Sequence, residues 1–354
     1  ALVFRDLVAF GAASVGIRVN STLTFNGNSE LVLDKTYAGS GTLILDNAGR
    51  TTLTSPGSGS PSFLGDLDIR SGVVRLGHAQ VFGTTSGSTY VRAGATLDLG
   101  GQGSNLTTAT ATSERIVLAG TGVGGQGALV NSYVNAAVPA YYLRNVVLAA
   151  DTTIGVEGRL DIRDNGGTAL FDMGGFELTK TGAGIFQLGL TTPLSNPGNL
   201  NINGGTLLLE FGTDLGAAAG KSINLAAGTG LAFFGNTART RWTVNAATNT
   251  TIANNENSTA FRYDGAINLA GTTTIGGNGG TARSYYFYQP IAGAAGNLIL
   301  NATGGTFFLA NNTYGGNTTV SAGSLLINGS IDSNGQVTVD AGATLGGTGT
   351  APGS

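Results

Sequence analysis

The side chains that could carry catalysis or bind a metal are few and widely separated in this chain. There is no cysteine, and His78 is the single histidine. A Ser-His-Asp triad would have to use that histidine, and a zinc site built from two or three histidines is excluded. We interpret His78 as a surface or corner residue. The sequence therefore predicts a protein that is not an enzyme, with no catalytic residues, no cofactor and no metal site.

Two groups of carboxylates are the nearest approach to acid–base or calcium-binding chemistry. The first is Asp66 with Asp68, and the second is Glu157, Asp161 and Asp164. Even spacing places two side chains on the same side of a β-strand, and polysaccharide-cleaving β-helices need such clusters as acid, base or calcium ligands. Arginines neighbour both groups in the sequence, so solvated charge pairs on the outer surface are the simpler interpretation. A catalytic or calcium site is the alternative.

Four consecutive aromatic residues form the candidate contact surface, namely Tyr285, Tyr286, Phe287 and Tyr288. One interpretation is that they pack over coil corners or lie in a strand with alternate faces exposed. The other is an exposed aromatic surface that contacts carbohydrate or a neighbouring subunit.

The element that must position these residues is a repeat marked by glycine. A three-step pattern, G-[TI]-[LF], then G-x-[VL], then G-x-[TG]-L, occurs three times and begins at Gly41, Gly184 and Gly305. Its steps recur roughly every 20 residues, which is typical of a stacked solenoid. A sandwich or a closed barrel would have similar short strands, but neither requires a glycine step once per coil.

The fold predicted from this repeat is all-β, a right-handed parallel β-helix. Short runs rich in Leu, Ile, Val and Thr are bounded by Gly, Asn, Ser and Asp, as strands and turns are. We expect glycine at the corners, where the backbone adopts positive φ. The Leu, Val and Phe of each step are expected to enter the core.

Composition supports a folded chain and excludes two classes of partner. Glycine accounts for 60 of 354 residues, charged residues for 10% and hydrophobic residues for 41%. Disorder requires more charge and less apolar content. The formal net charge is -3, and no basic patch exists, so nucleic acid is not an expected partner. No run of about 18 apolar residues is present, so no membrane span is expected.

The residues 305–325 resemble the passenger-associated repeat of bacterial autotransporters, G-T-L-x-L-x-x-x-N-T-Y-x-G-x-T-x-V-x-x-G-x-L. The unit departs from the pattern at Phe307, which replaces Leu, and lacks one residue between Leu309 and Asn312. Residues 178–184 are similar to the family's L-x-K-x-G-x-G. The resemblance implies a right-handed β-helix, export from the cytoplasm and a place on or outside a bacterial cell. It implies no activity, because such passengers include adhesins, fibres and proteins with added enzymatic domains.

We expect an N-terminal strand or cap segment at residues 1–32 and a continuous solenoid at residues 33–354. A solenoid has open ends that must be capped or must pair with another chain. The segment that would do so is apolar: Leu2, Val3, Phe4, Leu7, Val8 and Phe10. It either caps the first coil or adds a strand to a neighbour's sheet. The second arrangement gives end-to-end self-association into open filaments.

The function expected from the sequence is a structural β-solenoid of a bacterial cell surface, extracellular and assembled into a fibre, sheath or layer. The alternative is an adhesin or carbohydrate-binding passenger that contacts a glycan or a host surface through the aromatic run. A polysaccharide-cleaving enzyme is the third hypothesis.

Overall fold

The computed structural model describes residues 2–5, 16–54, 62–77, 84–100, 114–134, 142–164, 168–210, 213–234, 241–254, 260–276, 284–332 and 334–352. His78, Leu7, Val8 and Phe10 lie outside the described residues. Within that part of the chain the secondary structure is β-strand, apart from the 3-10 helix Val123–Gly125. No helix in the described ranges has the length and apolar character needed to cross a membrane.

Contacts divide the chain into two units, Ala1–Phe186 and Gln187–Ser354. The strands of the first unit are β1 Leu2–Arg5, β2 Ile17–Arg18, β3 Thr22–Gly27, β4 Leu31–Leu33, β5 Tyr37–Gly39, β6 Thr42–Leu53, β7 Ser62–Phe63, β8 Asp66–Leu76, β9 Ser88–Val91, β10 Thr96–Asp98, β11 Arg115–Gly120, β12 Leu129–Asn131, β13 Tyr142–Leu143, β14 Asn145–Val156, β15 Arg159–Arg163, β16 Leu170–Asp172 and β17 Leu178–Thr181. Strand β18, Ile185–Gly189, contains the division.

The strands of the second unit are β19 Leu200–Ile202, β20 Thr206–Glu210, β21 Ser222–Leu225, β22 Gly230–Phe234, β23 Thr243–Ala246, β24 Thr250–Asn254, β25 Ala260–Tyr263, β26 Ile267–Leu269, β27 Thr272–Gly276, β28 Ser284–Phe287, β29 Ile291–Gly293, β30 Asn297–Phe308, β31 Asn311–Tyr314, β32 Thr318–Ile327, β33 Ser330–Ile331, β34 Val337–Val339 and β35 Thr344–Gly346.

In both units the chain returns after each coil to pair in parallel with the coil before it. In the first unit β3 pairs with β6, β6 with β8, and β8 with β9. In the second, β21 pairs with β23 and β23 with β26. The predicted all-β parallel solenoid is confirmed.

The core consists of like residues stacked from coil to coil. Ile223, Val244, Ile267 and Ile291 occupy one register position on four successive strands, and none is more than 1% exposed. Their neighbours in sequence face outward, so alternation along each short strand separates core from surface. Burying an aliphatic side chain contributes about 1.5–3 kcal/mol, and each coil repeats that contribution.

The repeated glycines serve two different purposes. The second and third steps of every ladder have positive φ, as predicted for corners; these are Gly72, Gly94, Gly205, Gly228, Gly323 and Gly342. The first steps do not, and the prediction is wrong for them. A Cβ atom at Gly41 would lie 2.0 Å from the carbonyl oxygen of Ser21, and one at Gly184 would lie 2.1 Å from that of Gly158. There the backbone of the preceding coil leaves no room for a side chain.

The expected inward placement of ladder side chains is also wrong at two positions, Phe307 and Leu345, of which Leu345 is 40% exposed. Leu43 and Phe186 face the core, as predicted, with 3% and 0% exposure. Phe307 instead lies on the outer surface, while its neighbours Thr306 and Phe308 are buried. The buried side chains of β30 keep one alternation along the whole strand, at Leu298, Leu300, Ala302, Thr306 and Phe308. Phe307 therefore falls on an outward position.

The described part of the apolar N-terminal segment pairs within its own chain. Strand β1 lies parallel to β3, with Leu2 opposite Leu23 and Phe4 opposite Phe25. The rings of Phe4 and Phe25 stack with centroids 5.5 Å apart. Leu2 and Val3 are 56% and 49% exposed. Residues of the expected cap segment therefore contribute strands to the sheet that continues through β6.

Candidate ligand-binding surface

Alternation along β28 divides the aromatic run into an inner and an outer pair. Tyr285 and Phe287 are 0% and 1% exposed, whereas Tyr288 is 39% exposed and Tyr286 is partly exposed. The hydroxyl of Tyr285 accepts a hydrogen bond from the backbone N–H of Asn254, at 3.1 Å. Tyr285 and Phe287 belong to the core and do not reach a ligand on the outer surface.

The inner pair belongs to an aromatic cluster that supports the outer surface. Phe233 and Phe261 have ring centroids 4.3 Å apart, and Phe261 also contacts Tyr285 edge-on at 5.7 Å. The hydroxyl of Tyr263 donates to the carbonyl oxygen of Trp242 at 3.0 Å, and complete burial raises the pKa of Tyr263. Close aromatic packing of this kind fixes the strands that carry the outward side chains.

The outward side chains of three adjacent strands form what we call the outer aromatic ladder: Arg262, Tyr286 and Phe307, with Tyr288 beside them. Arg262 on β25 is paired with Tyr286 on β28, which is paired with Phe307 on β30. The rings of Tyr286 and Phe307 stack almost parallel, with centroids 4.4 Å apart and an interplanar angle of 6°. The faces of the two rings lie against each other, so the ladder presents the rims of the stacked rings as an apolar surface with a charged edge.

The charged edge is held in place by two contacts of Arg262. Its guanidinium carbon lies 4.1 Å from the ring centroid of Tyr288, which is within the range of a cation–π interaction. Its Nε donates to Asp264 Oδ1 at 2.6 Å, and this hydrogen bond raises the pKa of Arg262. The edge thus combines fixed donors and acceptors beside the aromatic face.

The first pair of carboxylates lines an outward groove in the first unit. Asp66 and Asp68 lie on the same face of β8, in a groove of about 430 Å³. Asp68 accepts hydrogen bonds from Arg70 at 2.8 Å and from Arg92 at 2.7 Å. Arg92 also lies over the ring of Tyr90, 4.8 Å from its centroid. Asp68 is thus paired with two arginines, as the charge-pair interpretation predicts, but its carboxylate is buried and not solvated.

The second group of carboxylates is not brought together. Asp161 is buried and accepts two hydrogen bonds from Arg159, each of 2.8 Å, with Arg163 at 3.7 Å. Burial raises the pKa of Asp161 against the opposing effect of both arginines. Glu157 is exposed, and Asp164 accepts a hydrogen bond from the backbone N–H of Ala169. Among the described residues no group of three or more potential metal ligands occurs.

Sequence reasoning missed a buried carboxyl group, Glu114, which is 2% exposed. Its Oε1 accepts a hydrogen bond from the Thr89 hydroxyl at 2.6 Å. Burial raises its pKa to about 8, and the negative charge of Asp66 acts in the same direction. Glu114 is therefore mostly protonated at neutral pH. Glu114 is not part of a glycine-ladder step, so the repeat pattern gave no signal for it.

A buried lysine explains part of the L-x-K-x-G-x-G resemblance. Lys180 is fully buried, and its Nζ donates to the carbonyl oxygen of Gly182 at 2.6 Å. Burial lowers its pKa to about 8, while the charge of Glu157 opposes that shift. Gly182 has positive φ, and a Cβ there would lie 2.4 Å from the carbonyl oxygen of Val156. The lysine thus binds the corner that the glycine makes possible.

Comparison with known proteins gives one partial similarity. A segment of 65 residues, 18% of this chain, is 49% identical to the adhesin BmaC autotransporter of Brucella suis biovar 1 (strain 1330). The chain spans only 2% of the length of that protein. No family model matches the chain, and no solved structure matches it. The similarity agrees loosely with the resemblance to autotransporter passengers and is consistent with an extracellular surface protein.

Proposed function

We propose that this chain is a section of a bacterial cell-surface adhesin whose β-solenoid holds a carbohydrate-binding face outward. The observation that carries the proposal is the stacked pair Tyr286 and Phe307, which lies on the outer surface although the core of the same strands is also aromatic. The partial similarity to an autotransporter adhesin supports the cell-surface setting.

The chemistry of the outer aromatic ladder favours a sugar over other ligands. Sugar rings have an apolar C–H face that packs against an apolar aromatic surface, and hydroxyl groups that bind nearby polar side chains. Arg262 supplies N–H donors and Asp264 supplies acceptor oxygens at the edge of the face. The overall charge of -3 disfavours a polyanion such as nucleic acid.

The test is glycan-array binding of the full chain, followed by titration with the best glycan. We expect Tyr286→Ala and Phe307→Ala each to weaken that binding by about tenfold, since aromatic stacking contributes on the order of 1 kcal/mol. Thr274→Ala is the matched control, because Thr274 is an outward, partly exposed residue on β27, and it should bind as the wild type does.

Two results would contradict the proposal. The first is the absence of binding to any glycan on the array. The second is binding that both aromatic variants retain at wild-type strength.

A further inference from the structure

Four asparagines occupy one outward register position in the second unit. Asn201, Asn224, Asn245 and Asn268 lie opposite one another on β19, β21, β23 and β26. The side-chain Nδ2 of each of the last three donates to the Oδ1 of the preceding asparagine, at 2.7, 2.8 and 2.9 Å along the series. We call this row the asparagine ladder.

A groove runs beside the asparagine ladder because the next outward position carries small side chains. That position holds Ala226, Ala247 and Ala270, each two residues after an asparagine and directly after the end of its strand. Their methyl groups, with the asparagines, line a groove of about 460 Å³, and no lining residue is charged. We call it the asparagine groove.

The amide groups of the ladder define which chemical group fits the groove. A primary amide has two N–H donors and an oxygen with two lone pairs. Asn224 and Asn245 each use one donor and one lone pair within the ladder. Each therefore keeps one donor and one acceptor for a further group. A hydroxyl both accepts and donates, whereas a carboxylate or phosphate only accepts and an ammonium only donates.

The arrangement repeats with the strand spacing of about 4.8 Å. We propose that the asparagine groove binds a neutral linear polysaccharide, whose successive hydroxyls hydrogen-bond along the asparagine ladder while its C–H faces contact the alanine methyls. A neutral ligand matches a groove without charged residues, because an ionic ligand would lose its hydration there and find no opposite charge to replace it. This site is separate in its residues from the outer aromatic ladder and does not depend on the function proposed above.

The test is isothermal titration calorimetry of the full chain with cellohexaose and with chitohexaose. We expect at least one of them to bind, with an affinity that does not change between low and high salt. Asn245→Leu keeps the size of the side chain and removes its polar atoms, and Asn245→Asp keeps its shape and removes its donor. Each change should weaken binding tenfold or more. Thr274→Ala, at an outward position of β27 that belongs to neither surface, should leave this binding unchanged.

Four outcomes would overturn the inference. In the first, neither hexasaccharide binds the wild-type chain. In the second, both Asn245 variants bind as tightly as the wild type. In the third, Tyr286→Ala abolishes the binding, which assigns it to the outer aromatic ladder. In the fourth, the wild type forms a concentration-dependent dimer in sedimentation velocity that Asn245→Leu disrupts, which assigns the groove to a second copy of the chain. If the leucine variant fails to fold, as judged by circular dichroism, the aspartate variant decides.

Discussion

Replacing Glu114 by glutamine is expected to stabilise the first unit at neutral pH. The native state keeps this carboxyl protonated up to about pH 8, whereas the ordinary value of its pKa is 4.5. Between these values the native state holds a proton that the unfolded state has lost, so the free energy of unfolding falls as pH rises. The loss of unfolding free energy grows by about 1.4 kcal/mol for each pH unit above the ordinary pKa of 4.5, and it reaches about 3 kcal/mol at pH 7. Glutamine has no proton to lose and removes this penalty.

The assay is hydrogen exchange of the backbone amides of β9 and β11, measured by mass spectrometry for variant and wild type at the same pH. Exchange is preferred to a global unfolding curve because solenoids can open coil by coil. Near pH 4 the two proteins should exchange alike. Near pH 7 the Glu114→Gln variant should exchange roughly 100-fold more slowly, which is the equivalent of about 3 kcal/mol.

Two further variants show whether burial and the neighbouring charge are the causes. Glu30→Gln makes the same chemical change at an exposed position of the first unit, and it should leave the exchange of β9 and β11 unchanged. Asp66→Asn removes the charge that helps to raise the pKa of Glu114, and it should narrow the difference between wild type and the glutamine variant. Equal exchange of wild type and Glu114→Gln at both pH values would refute the reasoning, as would faster exchange of the variant near pH 7.

Three other predictions concern the coil corners and the chain's first strand. Burial lowers the pKa of Lys180 from its ordinary value of 10.5 to about 8. Between these two pH values the unfolded protein therefore holds a proton on Lys180 that the native protein has lost. The free energy of unfolding should therefore rise across that range, and Lys180→Met should abolish the rise in urea titrations followed by circular dichroism. Gly184→Ala should cost several kcal/mol, because its Cβ would lie 2.1 Å from the carbonyl oxygen of Gly158; Gly175→Ala, with no atom within 4 Å of the new Cβ, should cost about 1 kcal/mol, and similar melting temperatures would contradict this. Deleting residues 1–12 should abolish any end-to-end assembly seen by electron microscopy, and unchanged assembly would exclude strand addition by that segment.

The fold was readable from the sequence because its signal is repeated. Gly72 and Gly94 have the positive φ that corner glycines need, and the runs around them form the expected parallel strands. The extent of single strands was less predictable. Strand β30 continues from Asn297 to Phe308 through two register shifts. Through both shifts the buried positions of β30 stay on even-numbered residues, so Phe307 faces outward. It was expected in the core because Leu43 and Phe186, which follow their ladder glycines at the same distance, are core residues.

The candidate surfaces were only partly readable from the sequence. The aromatic run identified Tyr286 and Tyr288 as surface residues, but an unbroken run does not show which alternate side chains face inward. It therefore also included two core residues, Tyr285 and Phe287. The asparagine ladder does have a signal in the sequence, because an asparagine between two apolar residues recurs at the spacing of the coils. The residues are Asn201, Asn224, Asn245 and Asn268, at intervals of 23, 21 and 23 residues. The pKa shift of Glu114 had no signal in the sequence, because the shift depends on burial that arises only when distant coils stack.

The parallel return of every coil has a mechanical consequence. Within either unit, a force applied along the stack loads the backbone hydrogen bonds between neighbouring coils one row at a time, since each coil pairs with the coil before it. Detaching one coil of about 20 residues would release at most about 70 Å of extended chain. Under tension, such a stack of coils should therefore lengthen in small steps, while the coils that remain stacked keep their outward surfaces in place.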